Sequence, residues 1–90
     1  MKTIDEIRAK KIGDELGINW VEVNLKEFYQ GLNVELEHGT RYSETNVTNN
    51  DELLTGKIAW AHLKEFPDYY TRLEKLEKEA EEYWNRKERD

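Results

Sequence analysis

In the segment NLKEFYQGLNVELEHG, residues 24–39, apolar side chains fall at Leu25, Phe28, Tyr29, Leu32 and Leu36. Steps of three and four keep all five on one stripe of a 3.6-residue helix, a pattern that no half-buried strand reproduces. The segment is therefore an amphipathic helix that needs an apolar partner. Asn24-x-x-Glu27 fits a capping box at its start, and Gly39 is its expected stop. A chain of 90 residues has room for one core, so the other segments must supply that partner.

Three of them can. Thr3-x-x-Glu6 predicts an N-cap for a first helix with Ile4, Ile7, Ile12 and Leu16 on its face, and Gly17 followed by Ile18 predicts a Schellman stop. Trp20, in the crossing to the second helix, is expected to plug the core. Asn50 or Asp51 caps a third helix, ELLTGKIAWAHLKEF, with Leu54, Ile58 and Ala61 on one side and Ala59, Trp60, Leu63 and Phe66 on the other. A helix apolar around most of its circumference belongs in the centre of the fold. Pro67 ends it and suits the start of a fourth helix. That helix runs from about Asp68 into the late eighties, with Tyr69, Leu73, Leu76, Ala80, Tyr83 and Trp84 facing inward. Residues 40–51, TRYSETNVTNND, lack helical period and are rich in side chains that compete for backbone hydrogen bonds. They predict a long ordered loop, extended near 46–48. The expected fold is all-α: a compact four-helix domain spanning 1–90, with a central third helix and a frayed tail at 86–90.

Charge and composition remove several function classes. The net charge of −6 argues against direct nucleic-acid binding, which needs a basic footprint. The absence of cysteine excludes disulfides, thiolate zinc sites and a cysteine nucleophile. Met1 opens a charged stretch, MKTIDEIRAKK, and no apolar run reaches membrane-spanning length, so a cytoplasmic, non-membrane protein is expected. No Gly-rich phosphate loop, Ser/His/Asp arrangement or metalloprotease helix is present, which leans away from an enzyme and assigns no catalytic residue.

The two histidines form the one chemical motif that stands out. Glu35-x-x-His38 places a carboxylate and an imidazole on one face of the second helix, and His62-x-x-Glu65 repeats the arrangement on the third. Asp68 follows just beyond. If the two helices pack antiparallel, Glu35, His38, His62, Glu65 and Asp68 converge into a nitrogen and oxygen donor set suited to zinc, manganese or iron. The same residues equally form a hydrogen-bonded polar cluster, with His38 serving the helix end and Asp68 capping the fourth helix. A pocket for an unspecified ligand is the third reading. Gly31, one turn before Glu35, costs about 1 kcal/mol relative to alanine in a helix, so either a neighbour packs closely there or a pocket opens.

The segments KIGDELGINW, GLNVELEHGT and TNVTNNDELLTGKIAWAHLKEFPDYYTRLEKLE resemble a family of short bacterial and phage-encoded proteins classed as a domain of unknown function, over about residues 9–84. The resemblance implies a family domain and a bacterial or phage setting, and it implies no activity. The expected function is that of a small binding or regulatory protein acting through an unidentified protein partner. Tyr42, Asn46, Asn49 and Asn50 are its contact candidates, and metal binding through the Glu/His pairs is the alternative.

Overall fold

A computed structural model describes residues 3–41, 44 and 51–89, with the side chains of 39, 40, 88 and 89 excepted. Four helices follow in order: α1 (Glu6–Leu16), α2 (Leu25–Arg41), α3 (Glu52–Glu65) and α4 (Tyr69–Arg89). The fold is all-α, as the periodicity predicts. Most of the segment predicted as a loop lies outside the described residues, including Tyr42, Asn46, Asn49, Asn50 and the extended piece at 46–48.

The stripe read from α2 is the spine of the core. Phe28, Leu32 and Leu36 are buried, together with Ile4, Ala9, Ile12, Ile18, Val23, Ala59, Leu63 and Tyr70. α3 packs against all three other helices, and α2 does the same, so the central place is shared by two helices. α3 and α1 meet closely where Gly56 lies under Ile12 and Leu16; a Cβ there would come within 2.9 Å of the Leu16 methyl carbon. The buried face of α3 is narrower than its sequence predicts. Thr55, Gly56, Ala59 and Leu63 are inside, whereas Leu53, Leu54 and Phe66 are exposed, because α1, α2 and α4 together cover only part of its surface.

The end of α1 follows its residues closely. Gly17 adopts φ 82°, a left-handed conformation that costs glycine little, and donates to the Asp14 carbonyl while Ile18 N–H reaches the Gly13 carbonyl at 2.9 Å. Trp20 is partly buried, edge-on to Phe28, and its indole N–H donates to Asp14 at 2.8 Å. That bond, with Lys10, holds the Asp14 carboxyl below its ordinary value.

Expectations for three of the helices are corrected. The N-cap of α1 is Asp5, whose carboxylate accepts from Arg8 N–H at 2.7 Å, and not Thr3. The reason lies in α2: Asn33 accepts from Ile4 N–H and donates to the Ile4 carbonyl, each at 2.8 Å, which fixes Ile4 outside the helix. Ile7, expected inside, is exposed. Gly39 does not end α2, which continues to Arg41. The last turn is supported by the Arg41–Glu37 pair at 2.9 Å and by basic residues against the C-terminal dipole, which offset the modest cost of one helical glycine.

The third correction concerns α4. Tyr69 and Leu73 pack against the core as predicted, but Leu76, Ala80, Tyr83 and Trp84 do not. Every residue from 74 to 87 is exposed. The 21 residues of α4 span about 31 Å at 1.5 Å per residue, and among the described residues its first turns supply the buried contacts with α2 and α3. Among the described residues, no helix is long and apolar enough to cross a membrane.

Candidate functional site

The polar centre of the molecule is built around Tyr70, which the sequence pattern does not single out. Its side chain is wholly buried, and one face of α2 addresses nearly every group it offers. Glu27 accepts from the Tyr70 backbone N–H at 3.2 Å, and Gln30 donates to the Tyr70 carbonyl at 3.3 Å. The ring lies directly on Gly31, where a Cβ would collide with it. Glu35 accepts the phenolic proton at 2.8 Å. Residues 27, 30, 31 and 35 recur at helical spacing, so a single stripe of α2 makes the whole contact. This resolves the meaning of Gly31: a neighbour packs there.

His62 closes the group from α3. Its Nδ1 is 3.0 Å from the Tyr70 hydroxyl and 3.2 Å from Glu35 Oε2. Because the Tyr70 proton goes to Glu35, the hydroxyl oxygen is left to accept, and a hydrogen on His62 Nδ1 would complete the contact. The imidazole is stacked on Tyr69, with ring centres 4.4 Å apart and planes 6° from parallel. Burial and the nearby Glu35 carboxylate push the Tyr70 hydroxyl far above its ordinary value, so it serves as a neutral donor.

The five donors predicted from sequence therefore divide. Glu35 and His62 come together, as the paired motifs anticipate. His38 turns instead to α4, with Nε2 3.2 Å from Glu77 on the exposed surface. Asp68 bonds Arg72 at 2.8 Å, and that guanidinium holds its carboxyl below the ordinary value. Glu65 is exposed on the last turn of α3. Among the described residues, no group of three or more His, Cys, Asp or Glu side chains is placed to hold a metal ion. Asn24 caps α2 as predicted, accepting from Glu27 N–H at 3.1 Å, but the Glu27 carboxylate does not turn back to complete the box. It crosses to α4, where it takes the Tyr70 amide and the Thr71 hydroxyl. The start of α4 is thus capped by α2, while Asp68 is held by Arg72.

A second feature lies beyond this lock. Where α4 leaves the core, a cleft of about 630 Å³ opens between it and the last turns of α2. Val34, His38 and Arg41 form one wall; Glu77, Ala80 and Trp84 form the other. Leu76 and Tyr83 continue the apolar stripe on the adjoining side of α4. Leu76 is 59%, Tyr83 47% and Trp84 60% exposed. The Tyr83 and Trp84 rings meet edge-to-face at 5.2 Å, and Lys87 lies 5.4 Å over Tyr83. The sequence contained this stripe, but its periodicity reads as a buried face.

A family model described as protein of unknown function (DUF5661) matches residues 9–79. The chain belongs to that family. No curated protein and no solved structure matches it. The DUF5661 span includes the whole Tyr70 lock and Leu76, and it ends before Tyr83 and Trp84. It bears out the sequence resemblance to a family of unknown function and assigns no activity.

Proposed function

We propose that this domain is a small protein–protein contact module, acting by binding and not by catalysis, and that its contact surface is the exposed stripe of α4 with the cleft beside it. One observation carries the reading. Leu76, Tyr83 and Trp84 are large, apolar and exposed on a helix whose first turns are anchored with care, so the fold holds an apolar face out to solvent. Contiguous apolar faces of this kind mark interaction sites, and tyrosine and tryptophan are the residues that dominate interface energetics. Tyr42, Asn46, Asn49 and Asn50 stay contact candidates on the sequence alone, as they lie outside the described residues. A bacterial or phage setting, which the sequence resemblance implies, suits a module of this size. Glu35 and His62 act here as structural hydrogen-bonding groups, since the atoms that face each other are already engaged with Tyr70.

The test is capture of partners by the tagged full chain in parallel with a Leu76→Ser/Tyr83→Ser/Trp84→Ser variant. The variant is expected to keep the melting temperature of the wild type and to lose specific binding. Undiminished binding by a folded variant would rule out the stripe as the contact surface.

A further inference from the structure

We infer that the occupant of the α4 stripe is a second copy of this chain, its α4 lying antiparallel to the first. The inference rests on the contact-module reading above and names its partner. Leu73, Leu76, Ala80, Tyr83 and Lys87 recur at steps of three, four, three and four, the spacing of a two-helix seam. All but Leu73 are fully on the exposed part of the helix. A seam of one tyrosine, one alanine, one leucine and one lysine is uneven, and that unevenness fixes how two copies fit.

In an antiparallel pair, seam positions of one type face those of the other. One register sets Ala80 against Tyr83 of the second copy, so a small side chain receives a large one, and sets Leu76 against the aliphatic stem of Lys87. The flanking residues then bring Glu79 beside Arg86 of the second copy, and two-fold symmetry repeats this pair. Shifting the register by one heptad sets Leu73 against Tyr83 and Leu76 against Ala80, but it also places Glu79 beside Glu79 and Arg72 beside Arg86. Like charges so placed disfavour that register. A parallel pair would bury Lys87 against Lys87 and crowd both helical bodies at one end, since each body sits at the start of its own α4. Charge complementarity along α4 therefore selects one orientation and one register. The cleft wall of Ala80 and Trp84 adjoins this seam, so Trp84 flanks the second helix. An overlap of this length gives an interface at the small end of the specific range.

Sedimentation of the full chain across a wide concentration range tests the pairing. The wild type is expected to pass from monomer to dimer. Glu79→Arg and Arg86→Glu should each weaken the dimer about tenfold or more, since each creates two like-charge contacts. The double swap should restore it, and an equimolar mixture of the two single variants should form a mixed dimer. Thermal melts of each variant in dilute solution check that folding is unchanged. A wild type that stays monomeric throughout overturns the pairing, as does a dimer indifferent to both single changes. Loss of a different captured protein by the stripe variant, with the wild type monomeric, would uphold the contact surface and overturn self-association, so the two readings fail separately.

Discussion

Over its first turns α4 gives Tyr69, Tyr70 and Leu73 to the core, whereas from 74 to 87 the same helix is exposed at every position, Leu76, Tyr83 and Trp84 included. Both stretches are amphipathic and rich in aromatics, so their local signals are alike. They differ in what lies opposite. The first stretch meets Glu27, Gln30, Gly31 and Glu35 of α2, and the second, among the described residues, faces the diverging last turns of that helix across an open cleft. Periodicity identifies an apolar face; the presence of a neighbour decides whether that face is buried.

Substitutions at the two ends should separate them sharply. Tyr70→Ala removes a wholly buried aromatic and should cost about 3–5 kcal/mol in urea denaturation, the largest effect expected along α4. A loss below that of an ordinary surface change would mean that the α2–α4 contact is not what holds the helix. Gly31→Ala forces a methyl into the Tyr70 ring and should cost about 1–3 kcal/mol, reversing the gain that alanine gives elsewhere in a helix. An alanine variant more stable than the wild type would show that the ring can move aside.

Tyr70→Phe keeps the ring and removes the hydroxyl from Glu35 and His62, with an expected cost of about 1–2 kcal/mol. The same variant sharpens a pH effect. The folded state holds the Tyr70 proton far above the ordinary 10.0, because of burial and the Glu35 charge. Above pH of about 10 the unfolded phenol releases its proton while the folded one retains it, so stability falls as pH rises. Below that pH the contribution is complete. Denaturation midpoints followed from neutral to alkaline pH should therefore drop more steeply in the wild type than in Tyr70→Phe, and matching slopes would remove Tyr70 as the cause. At the far end of the helix, Leu76→Ser and Tyr83→Ser should change the stability of the dilute monomer by no more than about 0.5 kcal/mol. A loss of several kcal/mol there would place the distal stripe inside the fold.

The legible parts of the sequence were those whose cause is local. The stripe of Phe28, Leu32 and Leu36, the Gly17 stop and the Asn24 cap each depend on residues within a turn or two, and each is where its pattern places it. The Glu35–His62 contact was partly legible, because matching motifs on adjacent helices invite pairing. Tyr70 was not, since Tyr69 and Leu73 already complete an apolar repeat and the hydroxyl gains meaning only from two other helices. Nor could the sequence show that Glu27 serves a helix more than forty residues away. The matching motifs pair His38 with His62, but the two leave the core in different directions once α4 supplies Glu77.

The bond from Tyr70 N–H to Glu27 has a consequence for how the molecule breathes. Amides in the first turn of a helix ordinarily exchange with solvent deuterium among the fastest, because nothing within the helix accepts them. This one ends on a carboxylate of α2, so fraying of α4 does not release it; the two helices must part first. In a hydrogen-exchange experiment a single backbone amide near the start of α4 would then act as a clock for separation of the two helices, slower than its position alone would allow.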